Sequence, residues 1–396
     1  MNLSQERRVQ IWDGGKSFFA SIIQPLSDSI AMMILIGLYQ ANTFEKTALG
    51  ALSGCGLLLG LPLFRLISHW KWSASKIISL LLFLSATSLL ISITVNHVWW
   101  FIFFVSIAIL LPITGIPFQS EIYATYHNSK RGKRFLTSLL AGNIGVILFT
   151  QISSFLYTDI NQTNIIICSF SFFLYIAAFC SFKTPVPFTK RRTPKFLEMF
   201  SVLKKDSLFG YICITWFILG AANLWTYPYR TNYLMEPEFG HQLSLQETLL
   251  LVVIIPESIR MLTAPLYAYA FDKFNFVVLR MTINLFFAVY CITFFSATSY
   301  SGVLIGSMFQ GLAMGGGSIA WQLWVTKLAP QGESSTYMSV HSFLTGVRKI
   351  TFPLLGLWSL HNLGATTCGI ISSAFIILAT VMLIPVIKSG KTNFKN

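Results

Sequence analysis

The stretch LLLVVIIPESIRMLTAPLYAYA, residues 249–270, is long and apolar enough to cross a bilayer, yet it carries Glu257 and Arg260 near its middle. A bilayer core is crossed by a helix of about 20 mostly apolar residues. A charge at the centre of such a helix costs at least about 2.5 kcal/mol on insertion scales. The stretch therefore predicts a membrane-spanning helix whose two midplane charges need compensation or have a role.

The rest of the chain has the same character, because 54% of its 396 residues are hydrophobic and only 11% are charged. This composition is typical of a polytopic membrane protein and not of a soluble one. Splitting the hydropathy at charged and turn-forming stretches predicts twelve helices, at residues 17–40, 47–67, 77–95, 98–119, 135–158, 163–182, 208–232, 247–270, 278–299, 302–325, 337–360 and 364–387. We read residues 17–40 as the first span, since the run is too long for a signal peptide.

The net charge of +14 is explained by topology and not by nucleic acid. With the N-terminus in the cytoplasm, 23 Lys and Arg residues fall on the inner side and only Lys46 and Arg230 on the outer side. The positive-inside rule then predicts that both termini are cytoplasmic. We expect a multi-pass protein of the plasma membrane, or of the inner membrane in a bacterium.

The chain divides into six plus six helices at its longest hydrophilic connection, residues 183–207. The predicted domains are an N-terminal bundle (1–182), a cytoplasmic linker (183–207) and a C-terminal bundle (208–396). Within the linker, Phe196, Met199, Phe200 and Leu203 share one helical face. This pattern predicts an amphipathic helix in the inner headgroup region, in contact with membrane lipids.

Short internal matches relate the two halves. Pro62 and Pro265 occupy equivalent places in the second and eighth helices, and seven residues separate Ser138 from Gly145 as they separate Ser339 from Gly346. Repeats of this kind are common in secondary transporters.

Six plus six helices, cytoplasmic termini, a basic central loop and these repeats resemble the major facilitator superfamily over essentially the whole chain. The family signature after the eighth helix is present in reduced form in AYAFDKF, with Ala268 in the glycine place followed by Asp272 and Lys273. Its first-half counterpart, RLISHWKW, is degenerate, with Arg65 in the glycine place and His69 in the Asp place. The resemblance implies a transporter that alternately opens a central cavity to either side, with Asp272 and Lys273 in a gating loop.

Five charges fall near the predicted midplane: Asp28, Glu257, Arg260, Arg348 and Lys349. Glu257 and Arg260 are three residues apart and can pair. Either the pair only neutralises itself, or one member contacts substrate or a proton. Three cations face two acids at this level, so one positive charge remains for an anionic group of the substrate to balance.

The roles of the midplane residues follow from their chemistry. Arg348 is the preferred substrate anchor because its planar fork matches carboxylate or phosphate oxygens, with Arg260 and Lys349 as further candidates. Lys349 is alternatively a partner of Asp28 or Glu257. Asp28 and Glu257 are candidates for proton coupling, and a permanent salt bridge is the alternative for Asp28.

Three polar residues complete the predicted binding site: Asn223 and Tyr227 in the seventh helix and Gln322 in the tenth. No catalytic, metal or cofactor site is predicted, because the sequence lacks HExxH, GxSxG and GxxxxGK[ST] and its six cysteines are scattered.

The sequence therefore predicts an all-α membrane protein of two six-helix bundles, acting as a monomeric secondary transporter. We expect it to move a small organic solute with an anionic group by alternating access, coupled to protons or another ion. An efflux exporter of amphipathic or cationic compounds is the alternative, and a membrane-embedded enzyme is a remote one.

Overall fold

The structure is a computed structural model, and it describes residues 3–31, 34–35, 38–126, 130–156, 163–189, 191, 196–235, 241–244, 247–248 and 250–388. All regular secondary structure in these ranges is helical. The helices of nine or more residues are α1 (Leu3–Ala20), α2 (Thr43–Ile67), α3 (Ala74–Ile91), α4 (Val98–Thr114), α5 (Ile116–Ala124), α6 (Arg131–Leu156), α7 (Thr163–Lys183), α8 (Ser207–Thr226), α9 (Ile255–Lys273), α10 (Phe276–Phe295), α11 (Tyr300–Leu323), α12 (Ser334–Leu363) and α13 (Ala365–Met382).

Within the described ranges, nine helical segments are long and apolar enough to cross a membrane. They comprise α3, α4 together with α5, α6, α7, α8, α9 with the turn before it, α10, α11, and α13 with the turn after it. The remaining long helices, α1, α2 and α12, cover or adjoin predicted spans. Helix α12 is 30 residues long and carries Arg348 and Lys349 in its middle.

The first helix differs from its prediction. It was expected to begin at residue 17, whereas α1 begins at Leu3 and ends at Ala20, before short helical turns at Ile23–Pro25 and Leu26–Ile30. The predicted start was wrong because hydropathy counts Asp13 and Lys16 against a helix interior, whereas both are buried and bonded to each other.

Helix α9 contains the charged pair and packs closely against α11. A π-helical turn, Leu250–Ile254, ends two residues before Pro256, which has no backbone N–H to donate. A Cβ added at Gly311 of α11 would lie 2.7 Å from the carbonyl oxygen of Pro256. The small residue therefore lets the two helices approach at the turn that carries Glu257.

The linker forms two one-turn helices, Phe196–Met199 and Val202–Lys205, separated by a turn at Phe200 and Ser201. The helical part of the linker is thus divided into two turns, and its predicted place in the inner headgroup region stays a prediction. Hydrophobic spacing alone does not predict the break at Phe200 and Ser201, because the apolar residues on either side of it keep the spacing of one helix face.

The chain forms two compact units. Unit 1 comprises Met1–His127, Thr137–Met199 and Ala329–Gly346. Unit 2 comprises Asn128–Leu136, Phe200–Leu328 and Val347–Asn396. The predicted domain boundaries stay a prediction.

Candidate functional site

Glu257 and Arg260 form an ion pair on one face of α9. Nη1 of Arg260 donates to both carboxylate oxygens of Glu257, at 2.9 and 3.1 Å. The Glu257 side chain is 4% exposed and that of Arg260 14%. The pair predicted from the PESIR spacing is thus present, and each charge is compensated within the helix.

Arg348 of α12 lies against the middle of α8. Its Nη1 donates to the backbone carbonyl of Trp216. A Cβ added at Gly220, one turn further along α8, would overlap the guanidinium carbon of Arg348. Glycine at this position therefore makes room for a buried guanidinium group inside unit 2.

Arg280 of α10 was not predicted as a site residue, because the predicted helix, 278–299, placed it in the first turn at the inner end. Helix α10 begins at Phe276, capped by the side chain of Asn275, and Arg280 is only 5% exposed. Its guanidinium carbon lies 4.1 Å from the centre of the Trp216 ring. The signal in the sequence was Asn275, a residue type that favours the position before a helix.

The Trp216 ring also belongs to an aromatic stack. The rings of Trp216 and Trp324 lie 5.1 Å apart, and those of Trp324 and Phe209 lie 5.3 Å apart. Arg280 therefore caps a row of three rings, and the negative faces of the rings partly compensate its charge.

Asp272, at the end of α9, binds the first turn of α6. Its two carboxylate oxygens accept hydrogen bonds from the backbone N–H groups of Gly132 and Lys133, at 2.7 and 2.9 Å. These N–H groups have no partner within their helix, and a carboxylate there interacts favourably with the helix dipole. Lys273, its predicted companion, is exposed. Their gating role stays a prediction.

Lys327 lies beside this contact, outside the spanning helices. Its Nζ donates to the carbonyl oxygen of Phe271 at 2.6 Å and lies 4.2 Å from the centre of that ring. Burial lowers the pKa of Lys327 to about 8, although the carboxylate of Asp272 acts in the opposite direction and Arg131 adds to the lowering. The ammonium group is therefore poised to titrate just above neutral pH.

Unit 1 holds a buried polar network around Asp13 that the sequence did not reveal. One carboxylate oxygen of Asp13 accepts from Lys16 Nζ at 2.7 Å and from Gln119 Nε2 at 2.9 Å. The other accepts from Ser138 Oγ at 2.5 Å, and Lys16 also donates to Gln119 Oε1 at 2.6 Å. Asp13 is 1% exposed and Lys16 is 7% exposed. The spacing of three residues between Asp13 and Lys16 was the available signal.

The other predicted site residues have separate surroundings. Asn223 and Gln322 are half-buried, and the side-chain oxygen of each lacks a hydrogen-bond partner among the described residues. Tyr227 is 39% exposed and its ring centre lies 3.7 Å from the guanidinium carbon of Arg230. Lys349 is half-buried. The side chain of Asp28 lies outside the described residues.

Solved structures of transporters match the whole chain. The proton:xylose symporter XylE, bound to 6-bromo-6-deoxy-D-glucose, is 14% identical, with 98% of this chain and 97% of that chain covered and a TM-score of 0.74. The human organic anion transporter MFSD10 is 14% identical, with 96% and 99% covered and a TM-score of 0.71. The E. coli fucose:proton symporter FucP is 13% identical, with 96% and 98% covered and a TM-score of 0.69.

No protein family and no curated protein matches the chain by sequence. The structural matches show that the chain has the all-α fold of transporters such as XylE, a major facilitator superfamily protein, which confirms the fold class predicted from the sequence.

The pair on α9 generates a prediction about stability. Replacing Glu257 by Gln leaves the Arg260 charge buried without its carboxylate, a change that typically costs about 3 to 5 kcal/mol. We expect Glu257→Gln to unfold at a lower temperature in detergent than the double variant Glu257→Gln/Arg260→Gln. Glu247→Gln, at an exposed acid bonded to Ser244, is the control and should have little effect. Equal losses in the single and double variants would contradict the pairing.

The lowered pKa of Lys327 generates a prediction about pH. Between about 8 and the usual lysine value of about 10.4, the unfolded chain binds a proton that the folded chain does not. The free energy of unfolding therefore rises with pH in this window. We expect the melting temperature of the unaltered protein to rise between pH 7.5 and 9.5 relative to Lys327→Met, which cannot titrate there, and relative to Lys327→Arg, which stays charged. Parallel curves would show that Lys327 does not titrate in this range.

Proposed function

We propose that this chain, which has the fold of the major facilitator superfamily, is a secondary active transporter of a small organic solute with an anionic group. The observation that carries the proposal is the charge balance of unit 2. Among its described residues, the buried arginines are Arg131, Arg230, Arg280 and Arg348, and the buried acids are Glu257 and Asp272. An anionic group on the solute is attracted by this cation-rich interior.

Arg348 is the preferred anchor for that group. Glu257 already neutralises Arg260, so the structure favours Arg348 over Arg260 for this role. The guanidinium of Arg348 is buried, so water competes little with a bound carboxylate or phosphate. Its planar fork fits two oxygens of either group. The match to an organic anion transporter agrees with this choice of solute.

Proton coupling is proposed for Asp13, in addition to the predicted candidates Asp28 and Glu257. A proton on Asp13 would cancel the charge that holds Lys16 and would change the hydrogen bonds from Gln119 and Ser138. The network joins Asp13 of α1 to Gln119 of α5 and Ser138 of α6, so a change of charge at Asp13 would alter contacts among three helices of unit 1. Two of the matched structures are proton symporters, which agrees with this mode of coupling.

Transport assays test the anchor. Purified protein in proteoliposomes is given a panel of radiolabelled organic anions and their uncharged amides, with and without an inward pH gradient. We expect uptake of an anion, and a loss of about tenfold or more in Arg348→Gln, because hydrogen bonds to charged groups contribute about 1.5 to 3 kcal/mol. Lys76→Gln, at an exposed cation on α3, is the matched control and should transport normally. Uptake insensitive to both Arg348→Gln and Arg260→Gln would contradict the anion anchor.

The same liposomes test the coupling residue. We expect Asp13→Asn to retain exchange of internal for external solute but to lose accumulation driven by the pH gradient, because the amide cannot take up a proton. Accumulation equal to that of the unaltered protein would exclude Asp13 as the coupling site. Ser138→Ala, which removes one donor to Asp13 but leaves the carboxyl group, should retain accumulation.

A further inference from the structure

Arg280 is a buried cation whose surroundings provide an aromatic ring in place of a carboxylate. Among the described residues, its guanidinium contacts the ring of Trp216 and its Nε has no hydrogen-bond partner. A ring face compensates a buried guanidinium only in part, and it cannot accept the hydrogen bonds that five N–H donors can make. The Nε–H group of Arg280 is therefore a donor to which an oxyanion can bind.

A second orphaned polar group lies one helical turn further along α10. Asn284 is 1% exposed, and neither the oxygen nor the nitrogen of its side-chain amide has a partner among the described residues. Residues four apart on a helix lie on the same face, so Arg280 and Asn284 face the same region of unit 2. Native proteins rarely leave buried polar groups unsatisfied, and two on one face indicate a place for a ligand.

The same region contains Arg348. Two contacts show how α8 and α10 are aligned along their lengths. Arg280 lies on the ring of Trp216, and the Cys291 sulfur lies 4.0 Å from the Thr226 hydroxyl. In this alignment Asn284 is level with Gly220, the residue against which the guanidinium of Arg348 packs. Arg348 contacts the backbone of Trp216 while Arg280 contacts its ring, and the two guanidinium groups act on each other electrostatically.

Two like charges that meet at one tryptophan in the interior repel each other, and an oxyanion bound beside them lowers this repulsion. We infer that Arg280 and Asn284 form a second oxyanion subsite beside Arg348, so that the transported solute carries two negative charges. This inference rests on the proposed function, in which Arg348 binds the first anionic group. The recognised chemistry is a dicarboxylate or a phosphate monoester, either of which presents two charges to paired guanidinium groups.

Matched solutes that differ only in charge test the inference in proteoliposomes. One arm uses propanedioate, butanedioate and pentanedioate with their half-amides. The other uses ethyl phosphate, a near-dianion at pH 7.5, with the monoanion ethyl methyl phosphate. We expect the unaltered protein to take up the dianions of one arm at least about tenfold faster than their monoanionic counterparts, and the arm that responds identifies carboxylate or phosphate.

Arg280→Gln should reduce this preference to about threefold or less while uptake of the monoanion persists. Arg280→Lys, which restores the charge, should recover part of the preference. Asn284→Leu, of similar volume and without polar atoms, should weaken it without abolishing it. Melting temperatures of the purified variants, measured with each solute, report binding independently of transport, because a ligand of the folded state raises them.

The outcomes separate this inference from the proposed function. If the unaltered protein does not prefer dianions, or if Arg280→Gln slows monoanions and dianions equally, the second subsite is overturned while an anchor at Arg348 stands. If no anion of either charge is taken up or stabilises the protein, the proposed function falls and this inference falls with it. The comparison of dianions with monoanions uses the unaltered protein. It therefore tests the inference even if Arg280→Gln does not fold.

Discussion

The cost of burying a charge among apolar helices is the constraint on which the interior of unit 2 depends. An isolated charge in a low-dielectric interior is strongly destabilised unless it is paired or hydrogen-bonded. Arg260 receives a carboxylate from its own helix, Glu257. Asp272 receives two backbone N–H groups at the start of α6. These two sites use every buried acid that the described part of unit 2 contains.

The remaining buried arginines use weaker acceptors that are already part of the fold. Arg230 donates to the carbonyl oxygens of Tyr227 and Val252 and lies over the Tyr227 ring. Arg348 donates to the carbonyl of Trp216, and Arg280 lies over its ring. Carbonyl dipoles and ring quadrupoles lessen the cost of each charge. The proposed function requires in addition that this interior attracts an anion.

The sequence predicted the fold class and the pair on α9 because both depend on patterns within a single helix. Hydropathy over about 20 residues records whether a helix can span a bilayer, and a spacing of three places Glu257 and Arg260 on one face. The sequence could not reveal Asp13, Arg280 or Asn284 as site candidates. Their burial depends on which helices they face, and hydropathy assigns charged residues near a helix end to the adjoining loop.

Two errors at helix boundaries had the same origin. The first helix begins at Leu3 and not at residue 17, so Asp13 and Lys16 are interior partners and not loop residues. Helix α10 begins at Phe276, two residues before its predicted start, so Arg280 lies inside it and not at its edge. In each case a buried partner stabilises a charged residue that the sequence pattern counted as solvated. A sequence pattern therefore misplaces most easily the charged residues within one or two turns of a predicted helix end.

The central claim is that the buried arginines of unit 2 attract the solute through its negative charge. The most direct measurement is competition in proteoliposomes between a transported anion and its own carboxamide, which has nearly the same size and shape. We expect the anion to inhibit uptake of the labelled solute at concentrations at least about a hundredfold lower than the carboxamide. The reason is that only the anion forms a charge pair with the buried arginines. Equal inhibition by the two compounds would contradict it.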